Sequence, residues 1–267
     1  QLFRSPPVWS RELNQYNPAL RLPLTHSYES VNSIYIRNTS INIAMKTLAA
    51  IDQIAPQPEI ECWAQGEEPA LDALGDQVIL IEVIQVNCPG CFVHALPEAI
   101  RLHESYASQG LKVFSIATAF EHFEHNTLNN LQRLLETGEV LGDPLQQLGT
   151  AGFLKGNKLP YTIPFSVGMD KLVANDSRAD NDAIEQFILS QLPDFHNGSL
   201  SEAQKASVYR QAQVHLSNKK FDALTFEMYQ LQGTPSSILI DKRGVLRNVS
   251  FGAVNVLEEQ IKQLVQE

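Results

Sequence analysis

Long apolar runs are missing from this chain of 267 residues. No stretch reaches the ~20 residues a helix needs to cross a bilayer, so no membrane span is expected. No segment pairs a basic start with a short apolar core as a secretory leader does. The chain starts at Gln1, so a leader removed upstream would leave no mark. The expected compartment is the cytoplasm, with a periplasmic or other extracytoplasmic site as the alternative if such a leader was lost. Positive charge is also short: 20 Lys and Arg stand against 30 Asp and Glu, a formal net charge of −10 spread without long runs. Phosphate backbones need a basic patch, so nucleic acid is not an expected partner. Cysteine is scarce. Three residues cannot scaffold a disulfide-rich secreted domain.

Two of those three cysteines stand together, and the chain is organised around them. Val78 to Ile84 is a β-branched and apolar run with one carboxylate, Glu82, inside it. It reads as a strand buried on both faces. Cys88-Pro89-Gly90-Cys91 follows, and then a helical pattern to about Ala107. A thiol at a helix N-terminus is stabilised as thiolate by backbone amides and the helix dipole. The two-residue spacing lets the second sulfur close a small disulfide ring on the first. A zinc site would need two more ligands at comparable spacing, and the only other cysteine is Cys62. With a strand before it and a helix after it, the pair reads as a redox motif, and no metal or bound cofactor is expected.

The remaining chain, 43% hydrophobic, can fill one elaborated domain or two small ones. Residues 1–55 form an extension, with Pro6, Pro7, Pro18 and Pro23 near its start. Val31 to Arg37 reads as a short strand and Ile41 to Ile54 as an amphipathic helix; the arm suits packing or dimerisation. Glu59 to Ala64 is an expected strand carrying Cys62, read as a buried structural thiol. Glu67 to Gly75 is a short helix or turn. In the helix after Cys91, Leu96, Ile100 and His103 recur at helical spacing, Pro97 should kink the first turn, and Gly110 should stop it. Leu111 to Thr118 is a second buried strand, completing a βαβ unit. Glu121, His122, Glu124 and His125 raise a metal hypothesis, but lack the His-Glu-x-x-His spacing; they read as a loop at the lip of the site. Asn126 is the expected cap of a helix ended by Gly138.

Residues 139–159 read as a loop-rich insertion, and Tyr161 to Asp170 as a strand interrupted by Pro164. Residues 171–220 read as a helical insertion, its second helix opened by a Ser199/Glu202 capping box. Phe221 to Leu231 reads as helix, Ser236 to Asp241 and Val245 to Phe251 as a hairpin turning at Gly244, and Val256 to Val265 as a closing amphipathic helix.

Glu61 to Pro69, Leu74 to Leu80, Cys88-Pro89-Gly90-Cys91 and Tyr229 to Asp241 together resemble a thioredoxin-fold protein of the TlpA-like/redoxin branch. Cys88 to His125 is similar to bacterial redoxin-domain proteins. The resemblance covers about half the chain. It implies an α/β, three-layer thioredoxin-like domain over residues 56–267, with a central mixed sheet, an N-terminal extension and a helical insertion. It implies a thiol-disulfide oxidoreductase acting on protein or low-molecular-weight thiol and disulfide partners through a redox-active disulfide. By position, Cys88 would be the nucleophile, Cys91 the resolving thiol, and Pro235 a cis-proline presenting Thr234 to substrate. Asn87, Pro89 and Gly90 would complete the binding lip. Glu82, six residues before Cys88, takes the place of a buried acid. Asn87 replaces the Trp common before the first Cys, and His94 replaces a Glu; His94 either tunes the thiols or covers the helix face.

Three alternatives stay open, one of them a non-catalytic interaction domain that retains the cysteine pair by descent. A thiol peroxidase would have Thr three and Pro seven residues before its reactive Cys; Gln85 and Ile81 stand there for Cys88, and Cys88 and Ile84 for Cys91. A copper-delivery protein of the same fold uses Cys-x-x-x-Cys, one residue longer than the spacing here.

Overall fold

The computed structural model describes residues 48–69, 76–175, 180–192, 194–198, 200–252 and 256–267. Its centre is β2, Val78–Ile84, every residue of which is buried. Val78, Leu80 and Ile84 point into one core, and Ile79, Ile81 and Val83 into another on the opposite face. That is why the run is apolar without alternation.

Around β2 stand β1 (Ile60–Gln65), β3 (Leu111–Ala117), β4 (Val167–Asp170), β7 (Ser236–Ile240) and β8 (Leu246–Phe251), in the order β1-β4-β3-β2-β7-β8. Strands β2, β3 and β4 run parallel; β1 pairs antiparallel with β4, β7 with β2, and β8 with β7. One face is covered by α1 (Leu96–Tyr106), α2 (Leu128–Thr137), α3 (Gly142–Thr150) and α7 (Leu257–Gln266). The other is covered more thinly, by Ala49, Tyr229, Leu231 and part of α6 (Leu224–Met228). This is a thioredoxin-like three-layer fold. A two-stranded sheet of β5 (Leu172–Ala174) and β6 (Phe221–Ala223) brackets α4 (Asn181–Gln191) and α5 (Glu202–Asn218), which pack on each other around Ile184, Ile188, Phe195, Val208 and Ala212.

Several local expectations give way to tertiary pairing. Of the expected helix over Ile41 to Ile54, residues 41–47 lie outside the described residues, as do the Val31 to Arg37 strand and most of the Glu67 to Gly75 turn. Residues 48–54 are not helical. Asp52 N–H donates to Leu246 O and Leu246 N–H to Gln53 O, both at 2.8 Å, so the edge of β8 takes the backbone that a helix would use. The loop-rich reading of 139–159 misses α3: Pro144 sits in its first turn, where a missing N–H costs nothing. Tyr161 to Asp170 becomes strand only from Val167. Gln65 Nε2 donates to Ile163 O (2.9 Å) and Phe165 O (2.8 Å), supplying from a side chain what a partner strand would give.

Phe221 to Leu231 is helical only over α6. Asp170 accepts from the N–H groups of Thr225 (2.9 Å) and Phe226 (3.1 Å), so a carboxylate some 55 residues away sets where that helix starts. The capping box is Ser201/Gln204, two residues beyond Ser199/Glu202. Thr127, not Asn126, caps α2; Asn126 turns inward to donate to Glu121 O (3.0 Å).

Candidate active site

Strand β2 ends at Ile84, and a tight turn follows in which Cys88 N–H donates to Gln85 O at 3.2 Å. Cys88 and Cys91 form a disulfide with Cα atoms 5.3 Å apart. Their environments differ. Cys88 is half-buried, as are Asn87, Pro89 and Gly90 around it, whereas Cys91 is fully enclosed in the core under α1. The N–H of Cys91 donates to Cys88 Sγ at 3.1 Å. A backbone amide at a helix start, aimed at a sulfur, favours that sulfur as thiolate.

The helix after Cys91 begins wide. Cys91–Ala95 is a π-helical turn in which Leu96 N–H donates to Cys91 O, five residues back. Continuing that step would pair Phe92 O with the nitrogen of Pro97, which has no hydrogen. The Tyr161 hydroxyl fills the gap, donating to Phe92 O at 2.6 Å. The expected Pro97 kink is therefore a widened turn ahead of the proline, sealed by a side chain from another segment. Burial pushes the Tyr161 phenol up, so it remains a donor at all ordinary pH.

The Thr234–Pro235 bond is cis, and Pro235 is buried. Its loop meets the cysteine turn: a Cβ on Gly90 would stand 3.5 Å from Pro235 Cδ. Gln85 binds the pieces together. Its Oε1 accepts from Thr234 Oγ1 (3.0 Å) and its Nε2 donates to Glu121 O (3.3 Å). One buried amide thus joins the cis-proline loop, the cysteine turn and the 119–126 loop. That last loop reaches on to β6 and α6, where Phe120 stacks on Phe226 (centroids 4.4 Å apart) and Phe123 meets Phe221 edge-on (5.2 Å).

Glu82 lies on the α1 face of β2, between Leu80 and Ile84, which share a core with Cys91 and Phe92. It is 2% exposed. Ser237 Oγ donates to Glu82 Oε1 at 2.7 Å, and among the described residues Oε2 has no hydrogen-bond partner. Burial pushes the carboxyl up to about 8; the Ser237 hydrogen bond opposes this, and Glu98 on α1 adds to it.

The sequence-selected residues Cys88, Cys91, Pro89, Gly90, Asn87, Thr234 and Pro235 come together at one end of the sheet, with Glu82 beneath them. His94 is exposed on the outer side of the π turn, where it acts on Glu98. Cys62 is half-buried rather than enclosed. His122 and His125 each stand 3.7 Å from Glu124 on the exposed loop, and among the described residues no group of three or more His, Cys, Asp or Glu could hold a metal ion. Sequence reading missed Gln85 and Tyr161 as organisers. A polar residue directly after an apolar strand was a signal for the first; Tyr161 lies 69 residues from Phe92 and gave none.

No known protein family and no curated protein matches the chain. Solved structures with similar folds include a thiol-disulfide isomerase from Corynebacterium glutamicum (22% identity, TM-score 0.48, covering 79% of this chain and 96% of that one). A thioredoxin-like superfamily protein shares 25% identity at TM-score 0.49, over 80% of this chain and 97% of that one. A thiol:disulfide interchange protein of the thioredoxin family from Chlorobium tepidum shares 16% identity at TM-score 0.36, over 79% and 97%. At these similarities the reading of the fold stands on the sheet order, the Cys88–Cys91 turn and the cis Thr234–Pro235 bond. No helix among the described residues is long and apolar enough to cross a membrane.

Proposed function

We propose that this protein is a thiol-disulfide oxidoreductase whose working group is the Cys88/Cys91 pair. The observation that carries this reading is the asymmetry of the two sulfurs: the accessible one receives a helix-start N–H, and the other is enclosed. In the reducing direction, the Cys88 thiolate attacks a substrate disulfide. A Cys88–substrate S–S bond forms and the first substrate sulfur leaves as thiolate. Cys91 loses its proton and attacks Cys88 Sγ. The Cys88–Cys91 bond forms, the second substrate sulfur leaves, and two electrons have passed to the substrate. The oxidising direction is the same sequence reversed.

Glu82 is the proton acceptor for Cys91 in this reading. It lies on the face where Cys91 is enclosed, and a carboxyl pushed up to about 8 is matched to a thiol near neutrality. The lip of Asn87, Pro89, Gly90, Thr234 and Pro235 receives an extended segment of a protein, or a low-molecular-weight disulfide. Both sulfurs stay within the chain, so the exchange runs without a bound cofactor. Disulfide-reduction assays of single variants test the proposal. Cys88→Ser abolishes reaction; Cys91→Ser gives one adduct and no turnover. Retained turnover in Cys88→Ser contradicts it.

A further inference from the structure

The first turn of the helix behind Cys91 has two possible registers, and the fold holds the less ordinary one. Leu96 N–H donates to Cys91 O, five residues back, so Cys91–Ala95 is a π turn. In the α register Leu96 N–H would donate instead to Phe92 O, four residues back. Pro97 carries no N–H, so one carbonyl goes without a backbone donor either way. In the α register it is Val93 O, on a half-buried residue that can reach water. In the π register it is Phe92 O, on a fully enclosed residue. Backbone pairing alone therefore favours α, because a buried unpaired carbonyl costs more than a hydrated one. The Tyr161 hydroxyl reverses that balance by donating to Phe92 O at 2.6 Å. Its own position is set elsewhere. Gln65 Nε2 holds the Ile163 and Phe165 carbonyls beside it, and Phe165 packs edge-on against His103, two turns further along α1.

The register decides where Cys91 points. Leu96, Ala99, Leu102 and Tyr106 define the buried face of α1. Each residue turns an α-helix by ~100°, so tightening the π turn would rotate Cys91 by about that much against the anchored face. Cys91, now fully enclosed, would swing toward the edge of that face. We propose that Tyr161 is a positioning residue for the exchange reaction: by pairing with Phe92 O it holds the π register, and the register keeps Cys91 enclosed and aligned on Cys88 Sγ. The inference rests on the reading of Cys91 as the resolving thiol. In that step the Cys91 thiolate attacks Cys88 Sγ of the mixed disulfide, the Cys88–Cys91 bond forms, and the substrate sulfur leaves as thiolate. Tyr161 exchanges no proton in it and acts only through the helix backbone.

Tyr161→Phe keeps the ring and removes the donor. In the reduced, folded variant Cys91 should be alkylated about tenfold faster than in the parent, the scale of one buried hydrogen bond. That excess should stay flat at low urea, as a local opening does, whereas global unfolding climbs steeply with urea. Rapid mixing with an aryl disulfide should show closure of the Cys88–Cys91 bond slowed by a similar factor and the first attack by Cys88 nearly unchanged. Pro97→Ala is the second arm. It gives residue 97 an N–H that can pair with Phe92 O in the π register, so Tyr161→Phe added to Pro97→Ala should leave Cys91 as protected as Pro97→Ala alone. Unchanged protection of Cys91 in Tyr161→Phe, or an excess that follows urea, overturns the role, as does an equal effect of Tyr161→Phe with and without Pro97. A parent protein that reduces no aryl disulfide overturns the exchange reading and the role with it. Normal exchange in the parent, with Cys91 still enclosed in the variant, removes the Tyr161 role alone.

Discussion

Gln85 Oε1 accepts a hydrogen bond from Thr234 Oγ1 at 3.0 Å, joining the end of the central strand to the residue before the cis-proline, 149 positions away in the chain. The same amide donates to Glu121 O, so the cis-proline loop, the turn that leads to Cys88 and the 119–126 loop are tied through one buried side chain.

Replacing Gln85 by Ala should therefore loosen the lip more than the thiol chemistry. Two hydrogen bonds are lost and buried partners are left open, a cost of about 1–3 kcal/mol in unfolding free energy. Activity should fall mainly through a raised KM for a protein disulfide, with the reaction of a small aryl disulfide changed much less. Equal losses for the two substrates would remove the lip assignment.

Tyr161→Phe should destabilise the fold by about 1–3 kcal/mol, because Phe92 O is left with no donor in a turn where Pro97 cannot supply one. Urea denaturation of the oxidised protein measures this. A variant as stable as the parent would show that Phe92 O has no need of the hydroxyl.

Glu82 makes the stability depend on pH. Its carboxyl is held at about 8 in the fold, above the ordinary 4.5. The folded state thus binds the proton more tightly than the unfolded chain. The stabilising contribution is complete below about pH 4.5 and is lost as pH rises to about 8, on the order of a few kcal/mol in all. Glu82→Gln lacks this loss. Denaturation midpoints of the two proteins should lie close together near pH 4.5 and diverge toward pH 8, with the Gln variant the more stable. A gap that stays constant or closes with rising pH would refute the burial argument.

His94 faces outward, so His94→Ala should change the rate of disulfide exchange by no more than about threefold, the scale of an exposed charge at a helix end. A rate lowered by orders of magnitude would return His94 to the site.

The central features were legible because their signals are local. A short β-branched run without polar alternation reads as a strand buried on both faces, and Cys88-Pro89-Gly90-Cys91 stands between that run and a helical pattern. The Gly138 and Gly244 stops, the β7–β8 hairpin and α7 were equally readable, since each depends on residues within one turn or one short periodic stretch. What sequence reading misplaced was set by distant partners. The start of α6 is fixed by Asp170, the irregular run before β4 by Gln65, and the non-helical course of residues 48–54 by the edge of β8. The Ser199/Glu202 box failed differently: Ser201/Gln204 fits the same pattern two residues later, and nothing local separates them. Burial of Glu82 followed from its flanks, but its Ser237 partner needed the register of β7, which no single strand contains.

The central claim is that Cys88, not Cys91, is the reactive thiolate. It is tested most directly by alkylating the reduced, folded protein across a pH series and mapping the modified residue by mass spectrometry. The account predicts that Cys88 is modified first, with a midpoint below the ~8.5 of an ordinary thiol, and that Cys91 is modified only when the protein is unfolded. Modification of Cys91 first, or a Cys88 midpoint at or above that value, would contradict it.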